Sequence, residues 1–500
     1  MNLFATFFRL FKLQMVVVFL SLIVMYLVGK FVAPEIYATY QLFLSFLTTA
    51  IALGMSWTHE AFVRQAREEL QNHNSMATSA GSFLFLRGLF FAAIILVGLI
   101  VNHHFNLLGD NHLFGLFFLI IAFSIVVLAD GYNYLLIAQS YFTGNILIKV
   151  FVSANLLFVL VTHVLLDTPL NWSYFAYAYL AGYGMAIGLF IARLVQRKTT
   201  TFHIAKPRMM AMIHYGWSTP FGIIGGVIFN WIDLWSISYL LDLKQAGIYI
   251  FAYLLINFAY FILTPLSNML TVRFMDVGIR QDREHIRLYS QRATTLLLIS
   301  FALLPLLQVA VTTLFPLLGL SQYAGAEIVL VLLLIGTCIQ MGIILFGNIW
   351  KSDAKLVPLS TVFSILSALV NFAGNALLIP IYGIKGAALA TLLALAWNFT
   401  TRIWMAERFY GGQLFAKKLY LLIPTFSVLA CWINLSGASL SNFLLSLALT
   451  TVMLLLFRWD GMLVSLQEIY DIITHGKAPW LQNPRWVAFL NWLSKPKTTS

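Results

Sequence analysis

Long apolar runs, each close to one membrane thickness in length and parted by short polar breaks, recur along most of this chain. They fall at residues 13–33, 36–57, 81–103, 113–138, 146–166, 173–194, 215–241, 247–272, 294–319, 326–350, 358–379, 384–405, 419–436 and 438–457. A helix rises about 1.5 Å per residue, so about 20 apolar residues cross about 30 Å of hydrocarbon. The pattern predicts an all-α polytopic membrane protein of about 14 transmembrane helices. The strict apolar/polar alternation of a membrane β-barrel is absent from the sequence.

Charge then orients the runs. Hydrophobic residues make up 61% of the 500 and charged residues 10%, too little polar surface for a water-soluble core of this size. Placing the N-terminus in the cytoplasm puts 26 of the 30 Lys and Arg residues on the inner side and leaves Lys30, Lys244 and Lys385 outside. The remaining one, Arg87, lies inside a run. Such a bias is the positive-inside pattern. It predicts both termini in the cytoplasm, and it accounts for the net charge of +12 without a nucleic-acid partner. Arg9 and Lys12 precede a run too long for a signal-peptide core, so that run reads as the first spanning helix.

Two stretches resemble each other. Tyr26 to Tyr37 matches Tyr239 to Tyr249 with one gap, each at the outer turn between the first two helices of a six-helix set. Val63-Arg64 and Val272-Arg273 close the second helix of their sets. Both sets begin inside, which makes a parallel repeat about an axis along the membrane normal. The expected organisation is two pseudo-symmetric six-helix lobes plus two extra C-terminal helices. It divides into an N-lobe (1–196), a basic cytoplasmic linker (197–214), a C-lobe (215–418), helices 13 and 14 (419–457) and a cytoplasmic amphipathic tail (458–500). Twin lobes around a cleft are a usual build for alternating-access transporters.

Ile379-Pro380-Ile381-Tyr382-Gly383, with Gly386 and the small-residue run to Thr391, resembles the proline–glycine hairpin of the polysaccharide flippases. These form the Wzx-type branch of the multidrug/oligosaccharidyl-lipid/polysaccharide exporter superfamily. Ala33 to Tyr37 resembles the family's hairpin after helix 1, and Gly54 with Phe62 to Ala66 resembles the end of its helix 2. Ile36 stands where the family often has glycine. The resemblance implies a flippase for undecaprenyl-pyrophosphate-linked oligosaccharide repeat units, moving them to the periplasmic leaflet of a bacterial inner membrane for O-antigen, capsule or related glycan. Its implied partners are the polyprenyl-pyrophosphate-linked glycan, the lipid bilayer, a glycan polymerase and a chain-length regulator.

Ionisable groups deep in a span cost about 2.5–3.5 kcal/mol on insertion scales, so they face a partner or a cavity. Arg87 and Asp130 lie at similar depth on neighbouring helices, which predicts a pair inside the N-lobe. That pair reads either as a fastening salt bridge or as an ion or phosphate site. Asp233 stands among Asn230, Trp231 and Trp235, a set suited to stacking on sugar rings and bonding hydroxyls. The alternative for Asp233 is a hydrogen bond to a neighbouring helix. Asn257 completes the candidate pathway. Arg64 and Arg273, at equivalent inner ends, have the forked geometry that suits pyrophosphate, or serve as ordinary inner anchors. Lys149 is placed to snorkel. Asn371, Asn375, Gln308 and Gln340 read as helix–helix hydrogen-bonding groups.

No catalytic set and no Walker loop occur, so the chain does not read as an enzyme, and no cofactor or metal is expected. His103, His104 and His112 lack the company that metal ligation needs, and Cys338 and Cys431 sit in apolar runs as packing residues. The competing functional classes are a cation-coupled multidrug antiporter of the same superfamily, a membrane glycan polymerase or ligase, and a membrane scaffold. A polymerase or ligase would want a large periplasmic loop, and the sequence has none.

Overall fold

The computed structural model describes residues 3–55, 57–73, 75–105, 112–139, 143–196, 202–216, 219–256, 317–352 and 357–410, with single positions between 301 and 315 and at 444 and 448. Every regular element among them is helical. In chain order they are α1 (Leu3–Phe31), α2 (Pro34–Met55), α3 (Trp57–His73), α4 (Ala77–Phe105), α5 (His112–Ala138), α6 (Gly144–Leu166) and α7 (Trp172–Gln196). They continue with α8 (Lys206–Gly216), α9 (Thr219–Leu240), α10 (Leu243–Ile256), a 3₁₀ turn at Ser321–Tyr323, α11 (Ala326–Ser352), α12 (Val357–Tyr382) and α13 (Ile384–Tyr410). Seven of these helices have the length and apolarity to cross a membrane. The expected helices 9, 13 and 14 and the tail lie largely or wholly outside the described residues.

Local chemistry sets the ends. Pro34 opens α2, where a missing N–H costs nothing, and Glu35 complements the positive end of the helix dipole. Pro34 also bars Ala33 from the helix, so α1 and α2 join through two residues. Pro380 in the last turn of α12 is followed by Gly383 at φ +60°, the left-handed conformation that stops a helix. Gly383 N donates to Ile379 O at 2.8 Å, and α13 starts at the next residue.

The two stretches matched in the sequence form two hairpins of one design. In each, a two-residue turn parts the helices. Val32 N donates to Val28 O (3.0 Å) and Tyr37 N to Ala33 O (3.2 Å); Leu241 N donates to Ile237 O (2.9 Å) and Ala246 N to Asp242 O (3.1 Å). This register needs no gap. It pairs Tyr40, rather than Tyr37, with Tyr249, and it sets Val24 opposite Asp233.

Two elements lie outside the apolar-run pattern. α3 is amphipathic: Thr58, His59, Ala61, Phe62, Gln65, Ala66 and Glu69 are buried, while Arg67, Glu68, Asn72 and His73 are exposed. The basic linker holds the short helix α8, which packs on α3 and α4. The linker is also stitched to the start of α4. His203 N donates to Ala77 O (3.0 Å), Ala205 N donates to Ser82 Oγ (3.0 Å), and Ser82 Oγ approaches Ala205 O at 3.3 Å.

The first and second helical sets touch where α1 turns into α2, here termed the hairpin end. Tyr323 OH donates to Val32 O and Gln322 Nε2 to Lys30 O, both at 3.2 Å. Trp235 of α9 donates Nε1 to Ser45 Oγ of α2 at 2.8 Å and stacks on Phe46, ring centroids 5.9 Å apart. Backbone approach is so close that a Cβ added to Gly247 of α10 would overlap the Pro34 carbonyl. One apolar core, including Val28, Val32, Tyr37, Tyr249, Phe251 and Tyr323, runs continuously through this seam. A second core joins α3, α4, α5, α7 and α8 at the opposite end of the first set.

Candidate functional site

Asp233 is buried in the middle of four donors drawn from three helices. Tyr249 OH of α10 and Thr391 Oγ1 of α13 each reach Oδ2 at 2.5 Å. Asn375 and Asn371 of α12 donate Nδ2 to Oδ1 at 2.7 and 3.0 Å. Helix geometry explains the convergence. Asp233, Asn375 and Thr391 each lie seven residues from the hairpin end of their helices, and Tyr249 lies six. At about 1.5 Å per residue all four sit about 10 Å below that end. Asn371 and Asn375 are one turn apart, hence on one face of α12. The amide oxygens of both asparagines are buried and accept no hydrogen bond. Asp233 thus ties α9, α10, α12 and α13 together, and every one of these four donors is neutral.

The first set has its own polar node. Arg87 of α4, 3% exposed, donates Nη2 to Asp130 Oδ2 of α5 at 2.8 Å and to Val127 O at 3.1 Å. Its guanidinium lies over the Phe83 ring, 5.3 Å from the centroid. The pair expected from matched depth is therefore formed, with Arg87 buried and Asp130 half-buried. A third member comes from α3. His59 Nε2 lies 2.5 Å from Arg87 Nη1 and 2.9 Å from Asp130 Oδ2. The imidazole is stacked on Tyr134 at 3.7 Å between centroids and meets Phe83 on edge. Sequence reading passed over His59, because it stands next to Glu60 in a stretch that looks like a polar inner loop.

The remaining sequence candidates fall as follows. Asn230 is exposed, and Trp231 is half-buried against the main core. Trp235, read with them as a sugar platform, is engaged in the seam with α2. Arg64 lies on α3, but its side chain, like all of Asn257 and Arg273, is outside the described residues. Lys149 is exposed near the start of α6, as snorkelling requires. Among the described residues no group of three or more His, Cys, Asp or Glu side chains is placed to hold a metal.

The arrangement of helices is shared with proteins of known structure. The lipid II flippase MurJ, in an inward closed conformation, superposes with a TM-score of 0.66 at 14% identity, covering 92% of this chain and 99% of that one. A multidrug resistance MATE family transporter of the MOP superfamily, inward-facing, gives 0.56 at 15% identity over 82% of this chain and 95% of its own. The chain shares the fold of these two proteins. The Vibrio cholerae MATE transporter VcmN in its bent form shares it too, at 0.53 and 16% identity over 81% and 96%. No protein-family model and no curated protein sequence matches the chain. In this shared fold the Asp233 node is built on α9, α10, α12 and α13 and the Arg87–Asp130–His59 node on α3, α4 and α5.

Proposed function

We propose that this protein is a membrane transporter that flips a polyprenyl-pyrophosphate-linked oligosaccharide from the cytoplasmic to the periplasmic leaflet of a bacterial inner membrane, for O-antigen, capsule or a related surface glycan. The observation carrying the reading is the near-complete mutual coverage with a lipid II flippase, 92% of one chain and 99% of the other. Lipid II is the cargo for which that protein is named. The burial of Arg87 and Asp233, with Asp130 half-buried against Arg87, supports a transporter, since a scaffold has no need of ionisable groups at membrane depth. With the orientation expected from the charge bias the hairpin end lies outside, and the tightly packed seam at Gly247 and Tyr323 would be a closed outer gate. Alternating access opens that seam. Asp130 and Asp233 are the carboxylates through which an ion gradient would act, and Arg64 and Arg273, read from the sequence at equivalent inner ends, would meet a pyrophosphate entering from the inner leaflet. A glycan polymerase and a chain-length regulator would consume the product.

The second reading, a cation-coupled multidrug antiporter, is supported by the MATE likenesses. Deleting the gene and assaying lipid-linked saccharides by leaflet separates the two. The flippase reading expects accumulation on the cytoplasmic side and loss of surface glycan. Unchanged glycan with increased drug sensitivity would replace it with the antiporter.

A further inference from the structure

The His59 nitrogen facing Arg87 and Asp130 has two incompatible duties. An arginine only donates and a carboxylate only accepts. With a bare Nε2, the imidazole accepts from Arg87 Nη1 at 2.5 Å, but its lone pair then faces the Asp130 oxygen at 2.9 Å. With a proton on Nε2, it donates to Asp130 and turns the same N–H against the Arg87 donor. Neither protonation state satisfies both contacts. The ring has little freedom to escape, because Tyr134 covers one face and Phe83 its edge. An imidazolium is further favoured over a tyrosine face by the ring's electrostatics.

We infer that His59 is a proton-binding site which moves the attachment of α3 between two helices: to Arg87 of α4 when bare, to Asp130 of α5 when protonated. The proton comes from water and forms one N–H bond; no other bond changes. Binding it breaks the His59–Arg87 contact and frees Arg87 Nη1 for another acceptor. Histidine is suited to this because its charge changes between about pH 5 and 8. Among the described residues the surrounding elements supply no competing base. α7 contributes Tyr179 and Tyr183, hydrogen-bonded to each other at 3.1 Å, and α2 contributes Tyr40 beside them. α8 brings Arg208 to Glu68, about two and a half turns farther along α3. The charged residue of α9 is Asp233, held by its own four donors.

The inference leans on the transporter reading only for what the exchange drives, so its test needs no cargo. The full-length protein, labelled with ¹⁵N-histidine and held in lipid nanodiscs, is titrated by NMR, with H59Q identifying the resonance among the ten histidines. The expected result is a change of protonation at Nε2 between pH 5 and 8. D130N should move the midpoint down by about one pH unit or more by removing the anion, and R87Q should move it up by removing the cation. Opposite shifts are the signature, since a merely packed histidine gives none. A His59 that keeps one protonation state throughout, in protein whose melting temperature is unchanged, overturns the inference. So do shifts of one sign. Where D130N or R87Q fails to fold, the titration of the unaltered protein decides. Titration without glycan flipping in the same nanodisc protein, reconstituted in vesicles, would sink the flippase reading and leave this one standing.

Discussion

At the scale of single residues, the decisive feature is how Asp233 is satisfied. Four neutral donors crowd one carboxylate, so removing any of them strips a hydrogen bond that bulk water does not replace. Thr391→Val should cost about 1–2 kcal/mol, and Asp233→Leu more, because it orphans Tyr249, Asn371, Asn375 and Thr391 at once. Thermal melting in detergent measures both, and equal melting of Asp233→Leu and the parent would contradict the cage. Arg87→Leu leaves Asp130 with only the histidine, a change of the kind that costs about 3–5 kcal/mol when a buried pair is broken. The sequence made Arg87 and Asp130 readable because each interrupts an apolar run at the same depth. It did not reveal the Asp233 cage. Asn371 and Asn375 announce a polar face on α12, but nothing local says that the face meets a carboxylate 138 residues away.

At the scale of elements, α3 and α4 meet through Glu69. Its carboxylate accepts from Thr78 N at 3.0 Å and Ser79 N at 2.7 Å, closing the exposed N–H groups at the start of α4. Burial pushes its pKa up, but the hydrogen bonds from Ser79 and Thr78 more than offset this and hold it below the usual carboxylate range. Because the folded value is the lower one, the stabilisation is present at neutral pH and fades as pH falls through that depressed value. Hydrogen exchange at Thr78 and Ser79 should stay slow at neutral pH and quicken in acid, and Glu69→Ala should remove the pH dependence. The opposite sign would disprove the cap. Gly383 is a second element-level test. A side chain there enters the left-handed region, so Gly383→Val should destabilise the α12–α13 hairpin by about 1–2 kcal/mol. Helix ends of this kind were legible from proline and glycine. α3 and α8 were not, since a search for long apolar runs passes over a helix with only one greasy face.

At the scale of the whole molecule, twin hairpins were visible as a faint repeat, but their contact was not. The apolar core crossing the seam looks in sequence like any lipid-facing run, and the polar ties of Tyr323 and Gln322 end on backbone carbonyls, which carry no sequence signature. Replacing Lys30 and Gln322 by cysteine, with Cys338 and Cys431 removed, should give a pair that cross-links readily, because Gln322 already touches the Lys30 carbonyl. Adding Gly247→Leu should prop the seam open and reduce the cross-link several-fold. Undiminished cross-linking would mean that the hairpins do not depend on that close approach.

The stitched segment from His203 to Ala205 changes what kind of connection joins the two sets. A slack tether would let each set tilt without the other noticing. Here the chain is clamped against α4 at His203 to Ala205, runs straight into α8, which packs on α3 and α4, and enters α9 within a few residues. A tilt of the helix carrying Asp233 is therefore expected to pull on α8 and, through its packing, on the helix carrying His59. Lengthening the step between Gly216 and Thr219 with flexible residues should therefore unlink the two nodes while leaving each intact.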